Sequence, residues 1–210
     1  MFRKLTAVAS SLVLTTGIGA WVAQGSDDDD PNNDGAIENG AIKDGASKDG
    51  RVEVVRVHDA DGDRVGSVRM LEAGGAVHVD ARLRSLEPGH HGFHVHETGV
   101  CDPDAADGPF TSAGGHYAGD GEDHGDHAGD LPSLLAMDDG NAQLSFATDR
   151  FTLDELRDDD GSAIMVHSGP DNYANIPDRY TSSSGETGPD EETLSAGDAG
   201  DRVACGAIGG

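Results

Sequence analysis

The sequence predicts an all-β domain, an antiparallel sandwich or barrel of about eight short strands, on three observations: recurrent period-two alternation, turn residues between the runs, and almost no helical pattern. Val52, Val54 or Val55, and Val57 form the first run, Val65, Val68 and Met70 the second, and Val77, Val79, Ala81 and Leu83 the third. Later runs cover Phe93 to Glu97, Leu134 to Met137, Ala142 to Ala147, Ala163 to His167 and Val203 to Ile208. Asp61-Gly62-Asp63, Gly74-Gly75, Glu87-Pro88-Gly89 and Asp138-Asp139-Gly140-Asn141 punctuate them as turns. The one helix-like stretch, Thr152 to Arg157, reads as a single turn before a strand. Residues 98–133 and 168–202 are rich in Gly, Asp and Ser with almost no apolar periodicity. Loops that long inside a compact domain are usually functional.

The 210 residues suggest one domain with extensions. Residues 1–23 read as a signal peptide or N-terminal anchor: Arg3 and Lys4 precede an apolar stretch from Leu5 to Ala23. No cysteine follows that stretch closely, which excludes a cysteine-linked lipid anchor. Residues 24–50 read as an acidic flexible linker, with Asp27 to Asp30 consecutive. The folded domain is expected at 51–210, where alternation returns. The protein is therefore expected to be exported, to an extracellular, periplasmic or cell-surface location.

The formal charge is −26; from residue 51 onward there is no lysine, and ten arginines face 32 acidic residues. Such a surface repels nucleic acid and anionic membranes, which excludes both as partners beyond an N-terminal anchor. The acidity reads either as a solubility device or as adaptation to molar, halophilic salt, where ions screen self-repulsion over roughly 3 Å. The two cysteines, Cys101 and Cys205, are an even count, which in an exported protein favours one disulfide over two free thiols. Closing a loop of about 100 residues contributes up to ~4.7 kcal/mol in the chain-entropy model.

Nine of the ten histidines fall between residues 78 and 167. Neutral imidazole is the commonest transition-metal ligand, so this concentration points to metal. His94 and His96, two apart on a strand, put both rings on one face, a geometry that can chelate one ion. The cupin pattern, which also uses H-x-H on a barrel, does not fit, because the position four after His96 is Val100.

Taken together, Gly92-Phe93-His94-Val95-His96-Glu97, Ser112-Ala113-Gly114-Gly115-His116, His127-Ala128-Gly129-Asp130-Leu131-Pro132, Met165-Val166-His167 and Gly197 to Gly206 resemble the copper/zinc superoxide dismutase family. The resemblance runs in order from about residue 51 to the C-terminus. It implies an eight-stranded antiparallel Greek-key β-barrel with two long functional loops, acting on superoxide. It further implies copper held by His94, His96, His116 and His167, and zinc held by His116, His124, His127 and Asp130. His116 then bridges the two ions, and carries a proton in the reaction. Asp171 matches a carboxylate linking a copper histidine to a zinc histidine, here His94 and His124. Cys101 and Cys205 match the family disulfide, and Arg202 the arginine lining the active-site channel, whose permanent charge docks a small anion. His91 fits a structural histidine; His58, His78 and His90 match no role.

The chain departs from the family pattern in two places. His124 and His127 are only three apart, and Tyr117-Ala118-Gly119 replaces the usual aromatic-Asn-Pro. Three residues span about 10 Å, so both rings can still reach one ion if the backbone turns at Gly125. Lysines that steer superoxide in many members are missing: residues 168–201 offer only Arg179. The rival reading is a non-catalytic copper/zinc buffer of the same fold, which has no need of Arg202. A structural adhesion module explains the cysteines and none of the histidines. A homodimer is an open expectation, because the family's dimers use different faces.

Overall fold

The computed structural model describes residues 50–209; the expected signal or anchor and nearly all of the expected linker lie outside them. Nine strands form the fold: β1 Arg51–Asp59, β2 Arg64–Ala73, β3 Ala76–Leu83, β4 Gly89–His91, β5 Phe93–His96, β6 Leu134–Ala136, β7 Ala142–Thr148, β8 Ser162–His167 and β9 Arg202–Ile208. They make one antiparallel sheet in the order β4-β6-β7-β3-β2-β1-β9-β8-β5. The two ends of that order, β4 and β5, are consecutive in the chain and joined through Gly92 alone, so the sheet is a nearly closed barrel. β1, β2 and β3 form a meander; the chain then crosses to β4, leaving two places that β6 and β7 later fill. β8 and β9 return in the same way between β5 and β1, the Greek-key connectivity. The ninth strand is β4, whose three residues are too short for a period-two pattern to mark.

Alternation sets the core. On β3, Val77, Val79, Ala81 and Leu83 all point inward. On β1 the inward pair is Val55 and Val57, while Val52 and Val54 stand 46% and 47% exposed, one residue out of phase. Val65 and Val68 on β2 are three apart yet both buried. A bulge reconciles them: Val57 pairs with Gly66 and His58 with Arg64, leaving Val65 as the extra residue. The predicted Thr152–Arg157 turn is a 3-10 helix, Glu155–Arg157, that buries Leu153 and Leu156. A reciprocal capping box closes it, with Thr152 N donating to Glu155 Oε2 (2.7 Å) and Glu155 N to Thr152 Oγ1 (3.3 Å).

β8 is buried on both faces. Ile164 and Val166 join the barrel core, while Ala163 and Met165 pack outside it against Phe110, Ala113 and Cys205. The loop after β5 therefore folds over the outside of β8. The Cys101–Cys205 disulfide, spanning 104 residues, fastens that loop to β9. Residues 168–202, expected to lack regular structure, contain one helix, α1 Glu191–Ala196. Asp190 caps it by accepting from Thr193 N (3.1 Å), and left-handed Gly197 ends it. Six residues that bury only Thr193 carry no apolar stripe, and the caps were its one sequence signal.

Candidate metal centre

His94 and His96 project from the same face of β5, away from the core partners Phe93 and Val95. β5 pairs with β8, and His167 ends β8 at an irregular register step, beside Arg202 on β9. On the other edge of β5 the loop bearing the remaining donors is laced to the strand. Tyr117 N donates to Val95 O (2.8 Å), Val95 N to Gly129 O (2.9 Å) and Glu97 N to Gly115 O (3.0 Å). His116 thereby pairs with His96, and Asp130 with His94. All six histidines, Asp130 and Asp171 are buried.

Among the described residues, two groups of donors come within 4.8 Å of one another: His94, His96, His116 and His167, and His94, His116, His124 and Asp130. His127 stands just outside the second group, its Nδ1 3.5 Å from Asp130 Oδ2. Gly125 N and His127 N both donate to that oxygen (2.7 and 3.1 Å), which is how the short His124–His127 turn wraps the carboxylate.

The proton arrangement leaves lone pairs facing one another. His96 Nδ1 donates to Gly114 O (3.0 Å) and His167 Nδ1 to Gly200 O (2.9 Å), so the two Nε2 atoms meet as acceptors at 3.4 Å. His94 donates through Nε2 to Asp171 Oδ2 (2.7 Å), and its buried Nδ1 has no partner. His116 donates through Nδ1 to Asp130 Oδ1 (2.8 Å), and its buried Nε2 is likewise unpartnered, as is His127 Nδ1. Buried polar atoms are normally paired. These orphans and the adjoining donor groups fit two cations. His94 and His116 fall in both groups, but Asp171 holds His94 Nε2, which leaves that ring one nitrogen to give. His116 could offer Nε2 to one cation and, once Nδ1 gives up the proton it shares with Asp130, Nδ1 to the other.

The two groups differ in charge. Burial pushes the His167 imidazole down to about 3 and His116 to about 4, and holds His96 well below its ordinary range, so these three rings are kept neutral. Burial also opposes charge on His124, Asp130 and Asp171, but their mutual hydrogen bonds win. His124 rises to about 9 between Asp130 and Asp171, and both carboxyls fall well below the usual carboxylate range. That side welcomes a positive charge. Neutral imidazoles suit copper in either oxidation state, and a carboxylate-bearing set suits redox-silent zinc.

Asp171 ties the groups together, accepting from His94 Nε2 on Oδ2 and from His124 Nε2 on Oδ1 (2.7 Å each). α1 closes the second group from outside. His124 N donates to Leu194 O (2.7 Å), and left-handed Gly197 lies so close that a Cβ there would collide with Asp171 Oδ1 and His124 Nε2. Arg202 is held by two carbonyls, Phe110 O (2.7 Å) and Gly114 O (2.6 Å), the second of which also accepts from His96 Nδ1. His91 is buried outside the donor groups, bridging His167 O and Glu87 O (2.7 Å each). His58 and His78 lie half-buried on β1 and β3, and His90 is exposed on β4. Sequence reasoning missed Leu194 and Tyr173, as well as the carbonyls that orient His96, His167 and Arg202, and gave Gly197 no role beyond its place in the matched motif. Backbone acceptors carry no residue signature.

Fold and donors together define a Greek-key barrel protein with two adjoining groups of residues that could hold metal ions. Residues 64–208 match the model of the family described as copper/zinc superoxide dismutase (SODC), and the chain belongs to that family. It is 45% identical over 159 residues to the Cu-Zn superoxide dismutase of Mycobacterium tuberculosis, covering 71% of this chain and 66% of the relative. The chain thus spans just under two thirds of that relative. It is 35% identical over 157 residues to the Escherichia coli K12 enzyme, covering 70% and 80%. The Cu/Zn superoxide dismutase structure from Brucella abortus aligns with TM-score 0.57 at 34% identity, over 75% of this chain and 99% of that one. A double mutant of a SOD-like protein from Bacillus subtilis aligns with TM-score 0.59 at 30% identity, over 75% and 97%.

Proposed function

We propose that the protein dismutates superoxide, two superoxide anions and two protons giving O2 and H2O2. We assign His94, His96, His116 and His167 to copper, and His116, His124, His127 and Asp130 to zinc. The observation that carries this reading is two adjoining donor groups that meet at His116, with Arg202 tethered beside one of them. His94 also falls in both groups, but Asp171 holds its Nε2 and leaves it one nitrogen to give. Copper, when bound, supplies a one-electron couple, and zinc a redox-silent positive charge.

The chain's own residues do the rest. Arg202 docks the small anion with a charge that does not titrate, and its two carbonyl tethers fix the guanidinium plane. We assign to His116 Nε2, a buried nitrogen with no other partner, the holding and return of a proton. Asp171 keeps the His94 and His124 rings in one tautomer and orientation.

We place this domain at 51–210, behind a signal or anchor at 1–23 and a linker at 24–50, in an exported protein; the disulfide supports an oxidising compartment. The test is metal analysis of the purified protein beside a superoxide-consumption assay, with and without added copper. Turnover that requires copper supports the enzyme. Copper bound without turnover favours the buffer, which leaves the tethering of Arg202 unexplained.

A further inference from the structure

We propose that Tyr173 is a positioning residue that clamps the shortened zinc-side loop, holding Asp171, His124 and the Leu131–Ser133 segment in register from one point. The inference rests on the zinc assignment above and concerns a residue outside both donor groups. Tyr173 N donates to Asp171 Oδ1 at 2.7 Å, on the oxygen that also accepts from His124 Nε2. Its ring lies nearly parallel to the His124 ring, 17° apart with centroids at 6.4 Å. Its hydroxyl accepts from Ser133 N (2.7 Å), shares a hydrogen bond with Ser133 Oγ (2.9 Å) and faces Leu131 O (3.4 Å), immediately after Asp130. Its carbonyl abuts Gly125, the turn between His124 and His127: a Cβ there would sit 2.8 Å from Tyr173 O, and Gly125 is left-handed at φ 94°.

Two features indicate that this arrangement is held for a purpose other than packing. Tyr173 and Ala174 are consecutive non-glycine residues at φ 54° and 53°, a conformation bulky side chains rarely adopt. The residue is also 40% exposed, so core burial does not explain its placement. What the strained pair achieves is to bring an amide, a ring, a carbonyl and a hydroxyl to four parts of one centre. With only two residues between His124 and His127, the loop has little length with which to brace itself. Tyr173 supplies the brace from the opposite loop.

The test compares zinc release to a chelator, and the visible spectrum of Co(II) substituted at the zinc site, in the wild-type protein, Tyr173→Ala and Tyr173→Phe. The Ala variant keeps the amide on Asp171 but loses the ring beside His124 and the hydroxyl anchor on Ser133. It should weaken zinc by roughly 10-fold, the lower end for loss of an outer partner, with an altered Co(II) band. The Phe variant keeps ring and backbone and loses one anchoring hydroxyl, a loss of roughly 2- to 10-fold. Copper affinity should change less than zinc affinity in both. Zinc affinity and Co(II) band unchanged within about twofold overturn the clamp, and so does a lowered melting temperature with both unchanged. Should the Ala variant fail to fold, the Phe variant decides by the same two readouts. A wild-type protein that takes up no zinc overturns the zinc assignment itself, and the clamp with it.

Discussion

The two halves of the centre are built on different principles. His94, His96 and His167 stand on paired strands, β5 and β8, and backbone carbonyls orient His96 and His167. His124, His127 and Asp130 stand on a loop, and they are oriented by side chains and by a second loop: Asp171, Leu194, Gly197 and Tyr173. A strand fixes its side chains to a fraction of an ångström through the sheet ladder. A loop inherits its geometry from whatever packs on it. The strand half should therefore tolerate change outside the site, and the loop half should not.

The largest expected effect removes the residue common to both halves. His116→Ala should reduce superoxide consumption to the background of the assay and lower both copper and zinc content. Loss of zinc alone would mean that the copper side does not use this ring. Asp171→Asn should weaken binding of both metals by about 10- to 100-fold, because it touches one histidine of each group; equilibrium competition with a chelator measures it. Gly197→Ala sharpens the contrast. It forces a left-handed position to carry a Cβ against His124 and Asp171, and should weaken zinc by roughly 10-fold while leaving copper nearly untouched. Equal losses of both metals would show that the halves are not mechanically separate.

The metal-free protein should titrate in opposite directions in its two halves. His116 and His167, pushed down to about 4 and 3, stay neutral when folded but protonate when unfolded below about 6.5. Their contribution is thus lost as pH falls below about 6.5. His124, raised to about 9, contributes stability that is complete below about 6.5 and lost as pH rises through 9. Melting temperature against pH should pass through a maximum between these limits, and one that climbs steadily to alkaline pH would contradict the His124 arrangement.

The smallest effect concerns salt. An open cavity of roughly 900 Å³ beside His116 and His127 is rimmed by Glu122, Asp123, Glu186 and Glu191, with no lysine or arginine among its lining residues. Long-range attraction of an anion is therefore not built in, and turnover should hold steady or rise, within about twofold, as salt screens the repulsion. A steep fall with salt would reveal attraction by Arg202 acting at long range.

The contrast between the halves also marks what the sequence made legible. Period two placed β3 and β7, which set one face against the core, and β8 and β9 were found as apolar runs although they pack on both faces. It left β1 ambiguous, because Val52 and Val54 decorate its outer face, and it passed over β4, which is too short to have a period. The donors were legible as residue types within motifs. The groups that hold them were less so: α1 is too short for an apolar stripe, Tyr173 looks like an ordinary loop tyrosine, and the carbonyls of Gly114, Gly200 and Phe110 have no identity in a sequence.

The central claim is that one ring, His116, joins the two metal positions. Its most direct test is the electron paramagnetic resonance spectrum of Cu(II) in the protein, recorded before and after Co(II) fills the zinc position. A shared deprotonated imidazole transmits exchange between the two paramagnetic ions, so the Cu(II) signal should collapse on Co(II) addition. A full-intensity Cu(II) signal with both ions bound would contradict the bridge.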